Sequence, residues 1–303
     1  MTLTLPPLQA GTYIIAVSGG VDSMVLLDLL RRQTHLTLYV AHINHGIRQD
    51  GHLDEALVST FCLSHNIPCI TEQLTLGEHT SEERARTARY DFLRKCRDKY
   101  NADAIVTAHH QDDLIETALI AMLRGTGWRG LAPFTHTPSV VRPLVNVPKR
   151  QLLDYASAHA IPWREDSTNA DERYLRNYVR RTLVPLLSKR DANWADYFLQ
   201  LIREQQHLRR KIEDELDNKL TLYVVVNGTT LLLNRYEWVM LPELEAYELF
   251  QALCRKYLGH SVVRDLALRA LLFIKTARPH KTMPLGVAWQ LRATTKQIIV
   301  EAR

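Results

Sequence analysis

Cysteine is scarce, and its placement excludes several chemistries. Four occur among 303 residues, Cys62, Cys69, Cys96 and Cys254, and no two have the Cys-x-x-Cys spacing. That argues against a zinc ribbon, a cysteine-ligated iron–sulfur cluster and a dithiol redox pair. Scattered reduced thiols fit a cytoplasmic protein. No apolar run approaches the ~20 residues that span a bilayer. The opening residues, MTLTLPPLQAG, lack the basic and apolar regions of a signal peptide. The expectation is a soluble cytoplasmic chain with no membrane partner. Two nucleotide signatures are also missing: the Walker pattern Gly-x-x-x-x-Gly-Lys-[Ser/Thr] and the dinucleotide pattern Gly-x-Gly-x-x-Gly.

What is present is an ordinary globular mixture, 46% apolar and 23% charged. The length suits about two domains. A net charge of +5 permits a nucleic-acid partner without requiring one. Four β-rich runs recur at wide spacing: Thr12–Ser18, Leu36–Ile43, Ile67–Leu74 and Asp103–His110. Helical patterns separate them at Ser23–Gln33, Leu53–Asn66 and Ser81–Tyr100. Alternation of this kind predicts an α/β fold on a parallel, doubly wound, Rossmann-like sheet. The strand sequences are continuously apolar, as expected when helices cover both faces.

Beyond residue 190 the pattern changes. A charged helical stretch (193–218) reads as a linker. It is followed by a hairpin signal at Tyr223–Asn234 with Asn227-Gly228 as its turn. Two helical runs and a last strand pair complete a small α+β domain. The predicted organisation is a catalytic domain over 1–190, a linker helix over 191–218 and a small C-terminal domain over 219–303. Arg203, Arg209, Arg210 and Lys211 on the linker, with Arg173, Arg176, Arg180 and Arg181 before it, suit phosphate contacts.

In doubly wound sheets ligands gather at the carboxyl ends of the strands. Three polar clusters fall there: SGGVDS (18–23), HINHGIR (42–48) and HHQDDLIET (109–117). Gly19 and Gly20 let backbone amides approach a ligand closely. A helix starting near Asp22–Ser23 aims its free amides and positive dipole end at the same point. The physical reading is an anion site, with phosphate as its natural occupant.

SGGVDS resembles the signature loop of the PP-loop ATP pyrophosphatases. HINHGIR, ARTARYDFL, TAHHQDDLIET, LRGTGWRGL, RPL, WREDSTN and YLRNYVRRTLVPLL then follow in order, and together they resemble the tRNA(Ile)-lysidine synthetase family across residues 12–187. Two departures are visible: Leu114 stands where that family usually has Gln, and Gly46 and Ile47 differ from its usual residues. The resemblance implies an ATP-consuming ligase acting on the wobble cytidine of a CAU-anticodon isoleucine tRNA. ATP adenylates the C2 oxygen, and the ε-amine of free L-lysine displaces AMP to form lysidine. A homodimer is left open as a partner. Some relatives carry another C-terminal domain, and the expectation from the length after residue 219 is that none is present here.

Roles follow residue by residue. Ser18, Gly19, Gly20, Val21, Asp22 and Ser23 would hold the pyrophosphate, with His42 and Asn44 toward adenine or ribose. Asp22, Asp112 and Asp113 are the candidate Mg2+ ligands, although adjacent carboxylates at a helix start also serve as caps. Glu116, one turn on, can share their face. Asp22, Asp112, His109 and Arg86 form the catalytic set. His45, Arg48, Arg89, Glu116, Arg124, Gly125, Arg142 and Arg176 are expected on the tRNA or lysine side. Arg86 and Arg89 share a helix face at i, i+3, where Glu82 and Glu83 offer ordinary pairing instead. The glycine-rich stretch around Trp128 and Arg129 reads either as a loop closing over the base or as a plain connection. Three other functions stay open: a tRNA thiolase using Cys62 or Cys69 alone, an amide ligase served by a separate glutaminase, and a non-catalytic nucleotide-binding regulator.

Overall fold

A computed structural model describes residues 3–44, 51–73, 82–135, 139–165 and 175–303. The chain divides into two compact units, Met1–Gln206 and His207–Arg303.

A five-stranded parallel sheet organises the first unit. Its strands are β1 (Gly11–Ala16), β2 (Leu36–Asn44), β3 (Cys69–Gln73), β4 (Ala104–Val106) and β5 (Val140–Val141). They lie in the order β3-β2-β1-β4-β5, and every pairing is parallel. The winding direction reverses between β1 and β4, so the crevice beyond their carboxyl ends is the topological switch point. The intervening helices are α1 (Val21–Arg31), α2 (Gly51–Ser64), α3 (Glu82–Lys99), α4 (Gln111–Leu123), the short α5 (Gly127–Gly130) and α6 (Lys149–Ala158). The unbroken apolar character of the strands reflects cover on both faces. Tyr13 and Ile15 share a buried cluster with Met24 and Leu27 of α1, Phe61 of α2 and Leu152 of α6. Ile14, Ala41 and Ile105 pack instead with Phe92, Leu93 and Cys96 of α3. Doubly wound topology is thus as the alternation predicted. Beyond the sheet come α7 (Leu175–Tyr178), a π-helical turn (Val179–Leu183), α8 (Val184–Arg190) and the 30-residue α9 (Trp194–Tyr223).

α1 and α6 are bolted together in the core. Asp28, fully buried, accepts a hydrogen bond from the Tyr155 hydroxyl at 2.7 Å and others from Arg31 and Arg32. Burial raises the Asp28 pKa, but these donors outweigh it and hold the carboxyl below its ordinary value. The bolt matters because the two helices start at the site: Asp22 belongs to the first turn of α1 and Lys149 opens α6.

Three boundaries differ from the sequence expectations. β4 ends at Val106, so His109 and His110 stand beyond the strand, and His110 is the N-cap of α4. The helix expected over 193–218 runs on to Tyr223, and the division between the units falls inside it. The Asn227-Gly228 hairpin turn is shifted by one residue. Asn227 pairs with Thr230, which leaves Gly228 and Thr229 at the centre, with Gly228 at φ +58°. A Gly at the first central position suits a Gly-X hairpin turn.

The second unit sets an antiparallel sheet against helices. Its strands are β6 (Val224–Asn227), β7 (Thr230–Asn234), β8 (Thr282–Pro284), β9 (Trp289–Ala293) and β10 (Gln297–Ala302), in the order β6-β7-β10-β9-β8. α10 (Arg235–Met240), α11 (Glu243–Leu253) and α12 (Arg264–Thr276) accompany it. Trp238 and Phe250 meet edge to face in its core, centroids 6.4 Å apart. β8 had no clear sequence signal: it has three residues and ends in Pro284, tolerable on an edge strand because a missing N–H there breaks no ladder.

Candidate active site

The loop between β1 and α1 is shaped by its own side chains. Gly19 sits at φ +90°, a left-handed backbone that favours glycine, and a Cβ there would be tight against Asp54 at 3.3 Å. The Gly19 carbonyl accepts the Arg164 N–H at 3.1 Å. Because the peptide is trans, the Gly20 N–H points the opposite way, away from Arg164. Arg164 also pairs with the buried carboxylate of Asp54 at 2.9 Å. Ser23 was expected to offer its hydroxyl to phosphate, but it is buried and donates to the Gly20 carbonyl at 2.9 Å. It also accepts the Ser18 N–H at 3.1 Å. Ser23 therefore sets the loop's shape, while Ser18 is exposed. Val21 contributes backbone only, its side chain being core. Gly20 caps α1 without a side chain, so the amides of the first turn have no capping acceptor and suit an anion.

The facing carboxylates come from the start of α4, directly after β4. Asp113 closes a capping box with His110, accepting the His110 N–H at 3.1 Å. Asp112 accepts the backbone N–H of Lys149 at 2.8 Å. The Lys149 ammonium lies 2.6 and 2.7 Å from the two oxygens of Asp22. His110, 3% exposed, has its ring nitrogens 3.5 to 3.6 Å from carboxylate oxygens of Asp22, Asp112 and Asp113. Burial lowers its pKa, but the carboxylates, Asp112 foremost, outweigh it and the pKa is raised. Among the described residues no three acidic, His or Cys side chains form a ready-made metal cage. A magnesium ion bound with phosphate and water needs only one or two carboxylates.

Beside this acidic corner lies a cationic one. His109 receives or gives a hydrogen bond at Thr107 Oγ1, 2.8 Å away. It packs against Phe134 with centroids 4.8 Å apart. The Arg142 guanidinium covers Phe134 at 5.2 Å, and its Nε is buried without a hydrogen-bond partner. Phe134 holds a left-handed backbone, φ +53°, which is strained for an aromatic residue. Burial pushes His109 down to about 3, with Arg142, Arg86 and Arg89 adding to it and Asp113 opposing. Imidazole of that basicity is neutral throughout the physiological range. The His109 ring resonances are therefore expected to stay constant from pH 5 to 8 in NMR titrations; a midpoint near the ordinary ~6.5 would contradict the placement.

Glu116 and Asp112 do not face the same way. Glu116 is buried and committed to Arg180, at 2.6 and 2.9 Å, and to Arg176 at 3.2 Å. Arg180 also approaches Asp113 at 3.6 Å, so Glu116 shares a partner with Asp113 while Asp112 turns to Lys149. Arg86 leans over Tyr90 at 5.0 Å. Arg124 is the exposed C-cap of α4, and Gly125 follows at φ +63°. The glycine-rich stretch contains the short helix α5, with Arg129 over the half-buried Trp128 at 4.2 Å. His42 is buried at the end of β2, its Nδ1 2.9 Å from the Val17 carbonyl, and Asn44 ends that strand. His45, Arg48 and Arg173 lie outside the described residues, as do the side chains of Glu82 and Glu83.

Sequence reasoning missed Lys149, Phe134 and Arg164. Lys149 did leave a signal: it follows Pro148 in the first turn of a helix, where the dipole disfavours a cation. Phe134 and Arg164 have roles only through tertiary contacts and left none.

A PP-loop domain matches residues 2–187. The chain is 30% identical over 311 residues to the tRNA(Ile)-lysidine synthase of Enterococcus faecalis, covering 96% of this chain and 66% of that protein. It is 33% identical to the tRNA(Ile)-lysidine synthase of Thermotoga sp. (strain RQ2), covering 71% and 56% respectively. The chain thus spans between about half and two thirds of these two relatives' lengths. In fold it resembles the U34-tRNA thiolase NcsA of Methanococcus maripaludis, with a TM-score of 0.56 at 17% identity, covering 65% of this chain and 71% of that one. With the loop at the switch point and a domain match over more than half its length, the chain belongs to the PP-loop family.

Proposed function

We propose that this protein is an ATP-dependent ligase that joins free L-lysine to C2 of the wobble cytidine in a CAU-anticodon isoleucine tRNA, releasing AMP and pyrophosphate. The observation that carries this reading is the meeting of the Ser18–Ser23 loop with the Asp112–Asp113 helix start at one switch point. The curated relatives named above supply the substrate class. The amides at the start of α1 would receive the departing pyrophosphate, which gathers negative charge as the cytidine oxygen attacks the α-phosphate. Asp22 fits a magnesium ion, since its carboxylate already holds a cation. Bound there, the ion would neutralise triphosphate charge.

The cationic corner suits the acceptor. Arg142 and Phe134 offer a guanidinium and an aromatic face to an unstacked base. Arg86 and Arg89 stand on the α3 side of His109 with charge for RNA phosphate. Lysine must shed a proton before its amine attacks, and a His109 held near 3 is too weak a base to take it. The nearby guanidinium groups instead favour the neutral amine by repulsion.

A thiolase reading loses its reagent. All four thiols are free. Cys69 opens β3 at the amino edge of the sheet, opposite the loop, with Cys62 beside it near the end of α2. Incubation with ATP, radiolabelled lysine and unmodified CAU-anticodon isoleucine tRNA is expected to yield ATP-dependent label in the tRNA and one AMP per lysine. Sulfur incorporation, or AMP release without lysine, would refute the proposal.

A further inference from the structure

Lys149 holds the two halves of the acidic corner together. Its backbone N–H is given to Asp112 at 2.8 Å, and its ammonium spans both oxygens of Asp22 at 2.6 and 2.7 Å. Its backbone position is fixed further by the Val147 carbonyl, which accepts the Gln111 N–H at 3.0 Å. The placement is electrostatically awkward: a cation in the first turn of α6, which has no acidic residue of its own there. Stability alone gives little reason for it, because the ion pair is about one-third exposed on both sides and water screens such a pair strongly. The backbone is pinned, whereas lysine's four-carbon stem has several rotatable bonds through which the ammonium can reach another partner.

We infer that Lys149 is a positioning residue that guards the metal-binding carboxylate: its ammonium sits on Asp22 until a triphosphate supplies a competing anion, then moves to the phosphate and frees Asp22 for the metal ion. This inference rests on the ATP-consuming reading above. A divalent ion at this carboxylate repels an ammonium that spans both its oxygens, so the two cations compete for Asp22. Metal alone has to overcome that repulsion with nothing to receive the lysine, whereas metal with nucleotide brings a new partner for it. The consequence is positive coupling between metal and nucleotide, equal in both directions. His110 does not supply the same gate, since its ring lies farther from Asp22, at 3.6 Å.

The test is Mn2+ binding followed by EPR on the full chain, with and without a non-hydrolysable ATP analogue. Wild-type protein is expected to bind Mn2+ weakly alone and at least tenfold tighter with the analogue. Lys149→Met should bind Mn2+ alone about tenfold tighter than wild type, and the analogue should add little. Lys149→Arg, which keeps a cation on Asp22, should restore weak binding without nucleotide. In Lys149→Met/Asp22→Asn the gain should vanish. Thermal unfolding and circular dichroism establish that each variant is folded. Equal Mn2+ affinity of folded wild type and Lys149→Met in the absence of nucleotide overturns the guard, as does a gain that survives in the double variant. Failure of wild type to bind the analogue would instead count against ATP use, and the nucleotide-free arm still decides the guard.

Discussion

Replacing Asp22 by Asn should reduce ATP-dependent lysine transfer about 10²–10³-fold, the loss typical when one preorganised electrostatic contact to a developing charge is removed. Asn is nearly the same size, so the loop keeps its space. Its neutral amide, however, holds neither an ammonium nor a metal ion with useful strength. The fold should tolerate the change. Asp22 and Lys149 are 27% and 34% exposed, and a pair that open contributes about 0–1 kcal/mol. Ser23, Gly19 and Arg164 hold the loop without Asp22. The discriminating measurement is AMP release per enzyme alongside the melting temperature. Activity lost with a melting point within ~3 °C of wild type assigns Asp22 to the chemistry. Normal turnover would remove Asp22 from it, and a collapse of the melting point would make it structural.

The fold was legible because its signals are local. Apolar strands without alternation and glycines after the first of them place β1, α1 and the loop from sequence alone, and the ordered polar clusters place the switch point. Two kinds of feature were not legible. Hydroxyl and carboxylate assignments depend on what stands opposite. Ser23 looked like a phosphate ligand because a serine in such a loop can be one; it is turned inward by the Gly20 carbonyl and the Ser18 amide. Asp113 could cap a helix or bind a metal, and its part in the capping box with His110 shows only in the folded chain. The second kind is contact across long separations. Lys149 reaches Asp22 across 127 residues, and Tyr155 reaches Asp28 across the same interval. Neither distance is encoded in periodicity. The hairpin shift belongs to the first kind: Asn-Gly suggests one central pair, and the strand register selects Gly228-Thr229.

Glu116 carries the largest predicted effect on stability. Its carboxylate side chain is 4% exposed and meets Arg180 through both oxygens and Arg176 through one. Three guanidinium contacts on one buried carboxylate leave it no other role without first breaking them. Gln in its place keeps the volume but turns an amide N–H group toward guanidinium donors, so at least one contact becomes repulsive. Breaking a fully buried pair costs about 3–5 kcal/mol. Arg176 and Arg180 are 28% and 39% exposed, so water recovers part of this and about 2–3 kcal/mol is expected. For a unit of this size that is a melting-point decrease of about 4–12 °C. Arg180 should then shift onto Asp113, already 3.6 Å away, and pull on the cap of α4. Turnover should therefore fall even where the variant is folded. A double-mutant cycle measures whether the carboxylate and the guanidinium are coupled. Adding Arg180→Met to Glu116→Gln should cost less than the sum of the single changes by about 1–2 kcal/mol, because the second change removes a cation the first left uncompensated. Additivity within about 0.5 kcal/mol would show that Glu116 and Arg180 do not act as a pair, and Arg180 would then have no part in holding the acidic corner.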